Sequence, residues 1–190
     1  MIRRLAVACL AAVALAAGSA AAQGGGLHKK DWFAITFKDI AEDLAMAREE
    51  GKRLALIIEQ AGCIYCKQLH EEVLTDPEVA DYIKENFVVV QYDMWGSEEV
   101  TDLDGKVMEE REAVRRWGVV FTPTVLFIDE TAGGAETAKE AAVEVMPGAF
   151  KKWTTLHMFQ WVAEKGYEGD TPFQKWHAQE LKKLQEEGRL

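Results

Sequence analysis

Three runs of strand length, each bracketed by helix-patterned segments, constrain the fold more than any other feature. Leu54-Ala55-Leu56-Ile57-Ile58 is apolar throughout, Phe87-Val88-Val89-Val90-Gln91-Tyr92 is nearly so, and Thr124-Val125-Leu126-Phe127-Ile128 follows Thr122-Pro123 directly. Unbroken apolar runs of this length read as strands buried on both faces. Between them Asp39 caps a helix carrying Ile40, Leu44 and Ala47 up to Gly51, Asp76-Pro77 starts another with Val79, Tyr82 and Ile83 inside, and Glu109–Trp117 is a helix ended by Gly118. Strands alternating with helices make an α/β layered sheet.

The remaining segments attach to that frame. Asp31–Phe37 reads as a short edge strand, and Trp95–Val107 as an insertion or small hairpin turning at Asp104-Gly105. Ala142–Met146 is an antiparallel partner for the strand before the Gly133-Gly134 turn. Two closing helices carry the stripes Phe150, Trp153, Leu156, Phe159 and Phe173, Trp176, Leu181, Leu184.

The start of the chain reads as a signal peptide over residues 1–22. Arg3-Arg4 precedes an apolar stretch from Leu5 to Ala17, and Ala20-Ala21-Ala22 offers a cleavage site. The apolar stretch is shorter than the roughly 20 residues a membrane crossing takes. An N-terminal anchor is the alternative. Cleavage leaves 168 residues, enough for one domain, with residues 23–38 as an N-terminal extension. Residues 39–190 form the main domain, of which 149–190 are a C-terminal helical extension.

Removing Arg3 and Arg4 from 22 basic residues, against 32 acidic, puts the mature net charge near −12. That sign repels phosphate backbones and anionic headgroups, so nucleic acid is excluded as a partner and no stable membrane insertion follows cleavage.

Of three cysteines, Cys9 lies in the signal, leaving Cys63 and Cys66. A disulfide closing so short a loop constrains the unfolded chain by only roughly 2 kcal/mol, a poor staple. Cys63-Ile64-Tyr65-Cys66 falls between a buried strand and a helical pattern, the setting of a redox-active pair. At a helix N-terminus the first thiolate is stabilised by free N–H groups and the helix dipole, and the second cysteine lies about one turn on. A structural disulfide and half of a metal site are the alternatives. His28, His70, His157 and His177 lack the close spacing of a zinc finger. Pro123 opens a buried strand, where its missing N–H costs least, beside backbone suited to pairing with an extended client.

In Leu54–Ile58, Cys63–Cys66, Phe87–Tyr92 and Thr122-Pro123, residues 50–148 resemble the thioredoxin family. The resemblance implies a thioredoxin-like fold with a central mixed sheet flanked by helices, carrying here an insertion and two extra C-terminal helices. It implies that Cys63 is the nucleophile, that Cys66 resolves, that Pro123 is cis, and that Ile64, Tyr65, Thr122 and Pro123 meet the substrate. Glu59 through His70, Thr122-Pro123-Thr124 and Met146-Pro147-Gly148 look most like the exported SoxW group of bacterial sulfur oxidation.

That group implies a protein-disulfide reductase with no cofactor beyond its own Cys63–Cys66 disulfide. Its client is a disulfide-containing protein, a sulfur carrier or an apocytochrome, and its reductant is an inner-membrane thiol transporter. The alternatives are a disulfide oxidase or isomerase, a Cu(I) chaperone using both thiolates, and a binding module whose disulfide stays closed.

The chain departs from the family at Gly62, Ile64 and Tyr65, and at Ile57, where many thioredoxins keep a buried acid. Glu59, two residues further along the same strand face, is the candidate acid/base. The simpler readings put Glu59 in solvent at a strand end, His70 on a solvated helix face, and the Glu109–Arg116 charges in water. Trp95 either walls the site or packs in the core.

Overall fold

The computed structural model describes residues 26–190. The expected signal peptide, residues 1–22, lies outside the described residues. Chain order is α1 (Ile40–Glu49), β1 (Arg53–Glu59), α2 (Ile64–Gln68), α3 (Pro77–Asn86), β2 (Phe87–Asp93), β3 (Glu99–Thr101), β4 (Val107–Glu109), α4 (Glu110–Arg116), β5 (Thr124–Ile128), α5 (Ala138–Ala141), β6 (Ala142–Pro147), α6 (Lys152–Ala163) and α7 (Phe173–Glu186).

The main sheet has the order β2-β1-β5-β6, with β1 parallel to β2 and antiparallel to β5, and β5 antiparallel to β6. The mixed sheet and its flanking helices are the architecture expected of the sequence. Every residue of β1 is buried, as a strand covered on both faces requires.

Alternation along the strands sorts side chains into two cores. Ala55, Ile57, Val89, Val125 and Phe127 face Leu69, Val73, Val79, Ile83 and Phe159, beneath α3 and α6. Leu54, Leu56, Ile58, Val90, Leu126 and Ile128 face Ile40, Leu44, Val114 and Trp117, beneath α1 and α4. Phe159 meets Phe87 and Phe127 edge-on, with centroids 4.9 Å away in both cases.

Helix ends follow local chemistry. The Asp39 carboxylate accepts from the N–H groups of Ala41 and Glu42 at the head of α1, and Asp76 accepts from Glu78 ahead of α3, with Pro77 at the first helical position. The insertion is a hairpin of β3 and β4 around Gly105, whose φ of +77° suits the turn. The Ala- and Thr-rich stretch before β6 holds the short α5, capped by the Thr137 hydroxyl.

Three expectations need correction. Asp31–Phe37 makes one bridge, Ala34 to Val90, and no strand; Ile35 and Phe37 point into solvent and Lys38 turns the chain with a positive φ. Phe150 precedes α6 and is partly exposed instead of lying on its buried stripe.

The Glu109–Arg116 charges are a solvated face only in part: Arg111, Glu112 and Arg115 are exposed, but Glu110 and Arg116 are drawn into pairings. Glu110 is buried, ion-paired with Lys38 and accepting the Asp93 N–H, and Gly96 leaves the space its carboxylate occupies. Arg116 bridges Asp102 and Asp104. Among the described residues no helix is long and apolar enough to cross a membrane.

Candidate active site

β1 ends at Glu59, and Gln60 to Gly62 turn the chain into α2, with Gly62 at a φ of +73°. Cys63 is the cap residue of α2. Its backbone is extended, and its sulfur accepts the Cys66 N–H at 3.0 Å. The two sulfurs form a disulfide. Cys66 is fully buried, while Cys63 keeps a small exposed area. An approaching reagent therefore meets Cys63 first.

The loop before β5 closes on the same sulfur. The Thr122–Pro123 bond is cis, as the family resemblance implied. The Thr122 carbonyl oxygen lies 3.5 Å from Cys63 Sγ, and the Thr122 hydroxyl donates toward that sulfur at 3.4 Å. Around this point Ile64, Tyr65, Val120 and Phe121 stand exposed. A cluster of exposed large apolar side chains on an otherwise acidic surface marks a contact area for another molecule. Trp95 is exposed too, not in the core, and its indole N–H donates to the Gln60 side chain at 2.9 Å.

At the end of β1, four residues before Cys63, lies a buried polar cluster that the simpler sequence readings place in water. Glu59 is 0% and His70 3% exposed. His70 Nε2 is 3.0 Å from both carboxylate oxygens of Glu59. The Gln91 amide donates to Glu59 and, at 2.6 Å, to the His28 carbonyl. At Glu59 the strand still pairs with Asp93 of β2, while its pairing with β5 ends one residue earlier at Ile58, and the carboxylate is covered by His70 and Gln91. His70 turns inward where α2 widens into a π-helical turn over Leu69–Val73, closed by the Leu74 N–H on the Leu69 carbonyl. The pairing with His70 and Gln91 is the part of the site that sequence reasoning missed; the only signal was a carboxylate ending an apolar run and a histidine four residues after Cys66.

The thioredoxin-like domain family matches residues 40–152. The chain belongs to the thioredoxin-like family. That span holds the whole central sheet, the cysteine pair and the cis-proline loop; α7 and nearly all of α6 lie beyond it. A thioredoxin from Thermus thermophilus is 27% identical with a TM-score of 0.52, covering 67% of this chain and 86% of that chain. A thioredoxin-fold protein from Helicobacter pylori is 21% identical, again with a TM-score of 0.52, covering 69% of this chain and 80% of that chain. No curated protein matches. Thioredoxin-like chemistry needs an accessible sulfur with a second thiol behind it, and this family member has that arrangement at Cys63 and Cys66.

Proposed function

We propose that this thioredoxin-like protein is an exported, periplasmic thiol–disulfide oxidoreductase that reduces disulfides of a partner protein. The observation that carries the reading is the placement of Cys63. Its sulfur receives a backbone N–H from α2, faces the Thr122 carbonyl, and lies within an exposed apolar rim.

In the reduced protein, the Cys63 thiolate attacks one sulfur of a client disulfide. A Cys63–client bond forms, and the other client sulfur leaves as a thiolate that takes a proton from water. Cys66 then gives up its thiol proton, with Glu59 as the acid/base group, and attacks Cys63 Sγ. The Cys63–Cys66 disulfide forms, the second client thiol departs, and two electrons have passed to the client. The N–H on Cys63 Sγ stabilises that sulfur as the attacking anion of the first step; in the second step Cys63 Sγ is the sulfur attacked and the client sulfur is the leaving group.

Ile64, Tyr65, Thr122 and Pro123 form the client-binding surface in this reading. An extended client segment lies along the loop at Thr122 and pairs with its backbone. The disulfide itself is the only redox group required.

The signal-like segment Met1–Ala22 supports export, with a mature chain of N-terminal extension 23–38 and domain 39–190, its helical extension at 149–190. The SoxW resemblance supports a sulfur-carrier protein or an apocytochrome as client, and an inner-membrane thiol transporter as reductant.

Two measurements test the reading. Equilibration of the Cys63–Cys66 pair against glutathione gives its potential, and a value near ~−120 mV, that of a strong oxidant, contradicts a reductase. A Cys66→Ser variant expressed in the periplasm is expected to hold its client as a mixed disulfide that Cys63→Ser does not form.

A further inference from the structure

We propose that His70 is a positioning residue that acts through Glu59, fixing the carboxylate's orientation and proton occupancy and so setting how the resolving step at Cys66 depends on pH. The inference rests on the thiol-exchange reading above and adds a residue to it.

Three observations carry it. First, Glu59 is a fully buried carboxylate, and His70 is its only basic partner among the ion pairs of the described residues. A carboxylate removed from water needs a compensating donor or charge, or it costs several kcal/mol. Here the compensation comes from the His70 imidazole N–H.

Second, His70 Nε2 is equidistant, at 3.0 Å, from both carboxylate oxygens, the geometry of an N–H donated to the carboxylate. Its Nδ1 is buried without a partner among the described residues. The Nε2–H tautomer therefore leaves only a bare acceptor, whereas a second proton would bury an unpaired N–H.

Third, the pair is tied to the cysteine motif at both ends. Glu59 lies four residues before Cys63, and His70 four residues after Cys66 on the same helical segment. The π-helical turn begins at Leu69, next to His70, and such turns concentrate at functional sites.

The groups facing the imidazole are few. Glu59 reaches it from β1, with Gln91 of β2 bonded to the same carboxylate. From the N-terminal segment the His28 ring stands 5.5 Å away and the Phe33 ring 5.6 Å. His28 is thus a second titratable neighbour. During resolution the Cys66 proton moves to Glu59, the Cys66–Cys63 bond forms and the client thiol leaves. His70 does not touch the sulfur; its N–H holds the carboxylate in one orientation and fixes its readiness to take that proton.

The test measures insulin disulfide reduction from pH 5 to 9 for the wild type, His70→Leu, His70→Gln, Glu59→Gln and the Glu59→Gln/His70→Leu double variant. Profile shapes are compared after scaling each to its own maximum, and rates are compared per folded molecule, with the folded fraction read by near-ultraviolet circular dichroism at each pH. His70→Leu is expected to slow the reaction roughly tenfold, less than the ~10²–10⁴-fold of a general acid or base itself, and to move the acid limb by at least about half a pH unit. His70→Gln keeps an N–H near the Nε2 position and should retain most of the wild-type profile. The double variant should match Glu59→Gln.

A wild-type-shaped profile in His70→Leu overturns the proposal, as does a double variant slower than Glu59→Gln by the full His70→Leu factor. A Glu59→Gln protein with wild-type rate and profile removes Glu59 from the exchange reading itself, a separate failure from that of His70.

Discussion

Cys63 Sγ lies 3.5 Å from the carbonyl oxygen of Thr122, a residue 59 positions further along the chain. The antiparallel register of β1 and β5 creates this contact. Ile58 is opposite Thr124, so the chain leaving β1 and the chain entering β5 emerge at the same end of the sheet. A one-residue slip would send the slipped strand's side chains into the opposite core, so the packing of the two cores also fixes the distance at the sulfur.

The rim formed by Ile64, Tyr65, Val120 and Phe121 should bind protein clients through apolar contact. Replacing Tyr65 and Phe121 together by serine is expected to raise KM for insulin roughly tenfold, about 1.4 kcal/mol of lost binding, with little effect on reduction of a small aromatic disulfide. An unchanged KM would remove the rim from client recognition.

Asp102 should be among the most sensitive positions for stability. Its buried carboxylate accepts the Trp117 indole N–H at 3.0 Å, the Ala138 N–H at 2.9 Å and an Arg116 N–H at 3.1 Å, joining the insertion to α4 and α5. Asp102→Ala leaves those donors unpaired and should cost about 3–5 kcal/mol in urea unfolding. A cost below about 1 kcal/mol would contradict this role.

Acid should destabilise the attachment of α7. His157 is buried, with its Nδ1 2.7 Å from Nδ1 of His177, so one nitrogen of the pair must donate and the other accept. Burial, then the neighbouring His177, pushes His157 down to about 4 from an ordinary 6.5, against the opposing pull of Glu180 and Glu78. A histidine held below its unfolded value contributes stability that is complete above about 6.5 and is lost as pH falls toward 4. The drop in Tm between pH 7 and 4 should therefore shrink in His157→Gln; an equal drop would refute the assignment.

Asp43 works in the opposite direction. Burial, and to a lesser degree Asp39 and Glu42, pushes its carboxyl up to about 6 from 3.8, despite the Thr36 hydroxyl that donates to it at 3.2 Å. A carboxyl whose folded value is raised favours the fold in its protonated form, so its contribution is lost as pH rises through about 6. Asp43→Asn should add ~1–2 kcal/mol of stability at pH 7 and little at pH 4, checked by urea unfolding at both. Equal gains at the two pH values would contradict it.

The central sheet was legible in the sequence because its strands are covered on both faces. Continuous apolar runs such as Leu54–Ile58 leave few alternatives for their length. Cys63, Cys66 and Pro123 were legible because each has a local reason for its position, a helix head or a strand start.

What escaped were pairings between distant elements. Glu59 and His70 are 11 residues apart on a strand and a helix, and neither signals burial until the other and Gln91 arrive beside it. Glu110 went into the interior because Lys38 and the space at Gly96 accommodate it. Ile35 and Phe37 suggested a strand by composition, but their side chains have nothing to pack on, and pleated pairing ends at Ala34.

The most direct test of thiol exchange at Cys63 is the rate of insulin disulfide reduction, with dithiothreitol as electron source, by the purified mature protein and by its Cys63→Ser variant. The expected result is turnover well above the dithiothreitol background for the native protein and none above background for the variant. Equal rates for the two, or a Cys63–Cys66 bond that stays closed in excess dithiothreitol, would contradict it.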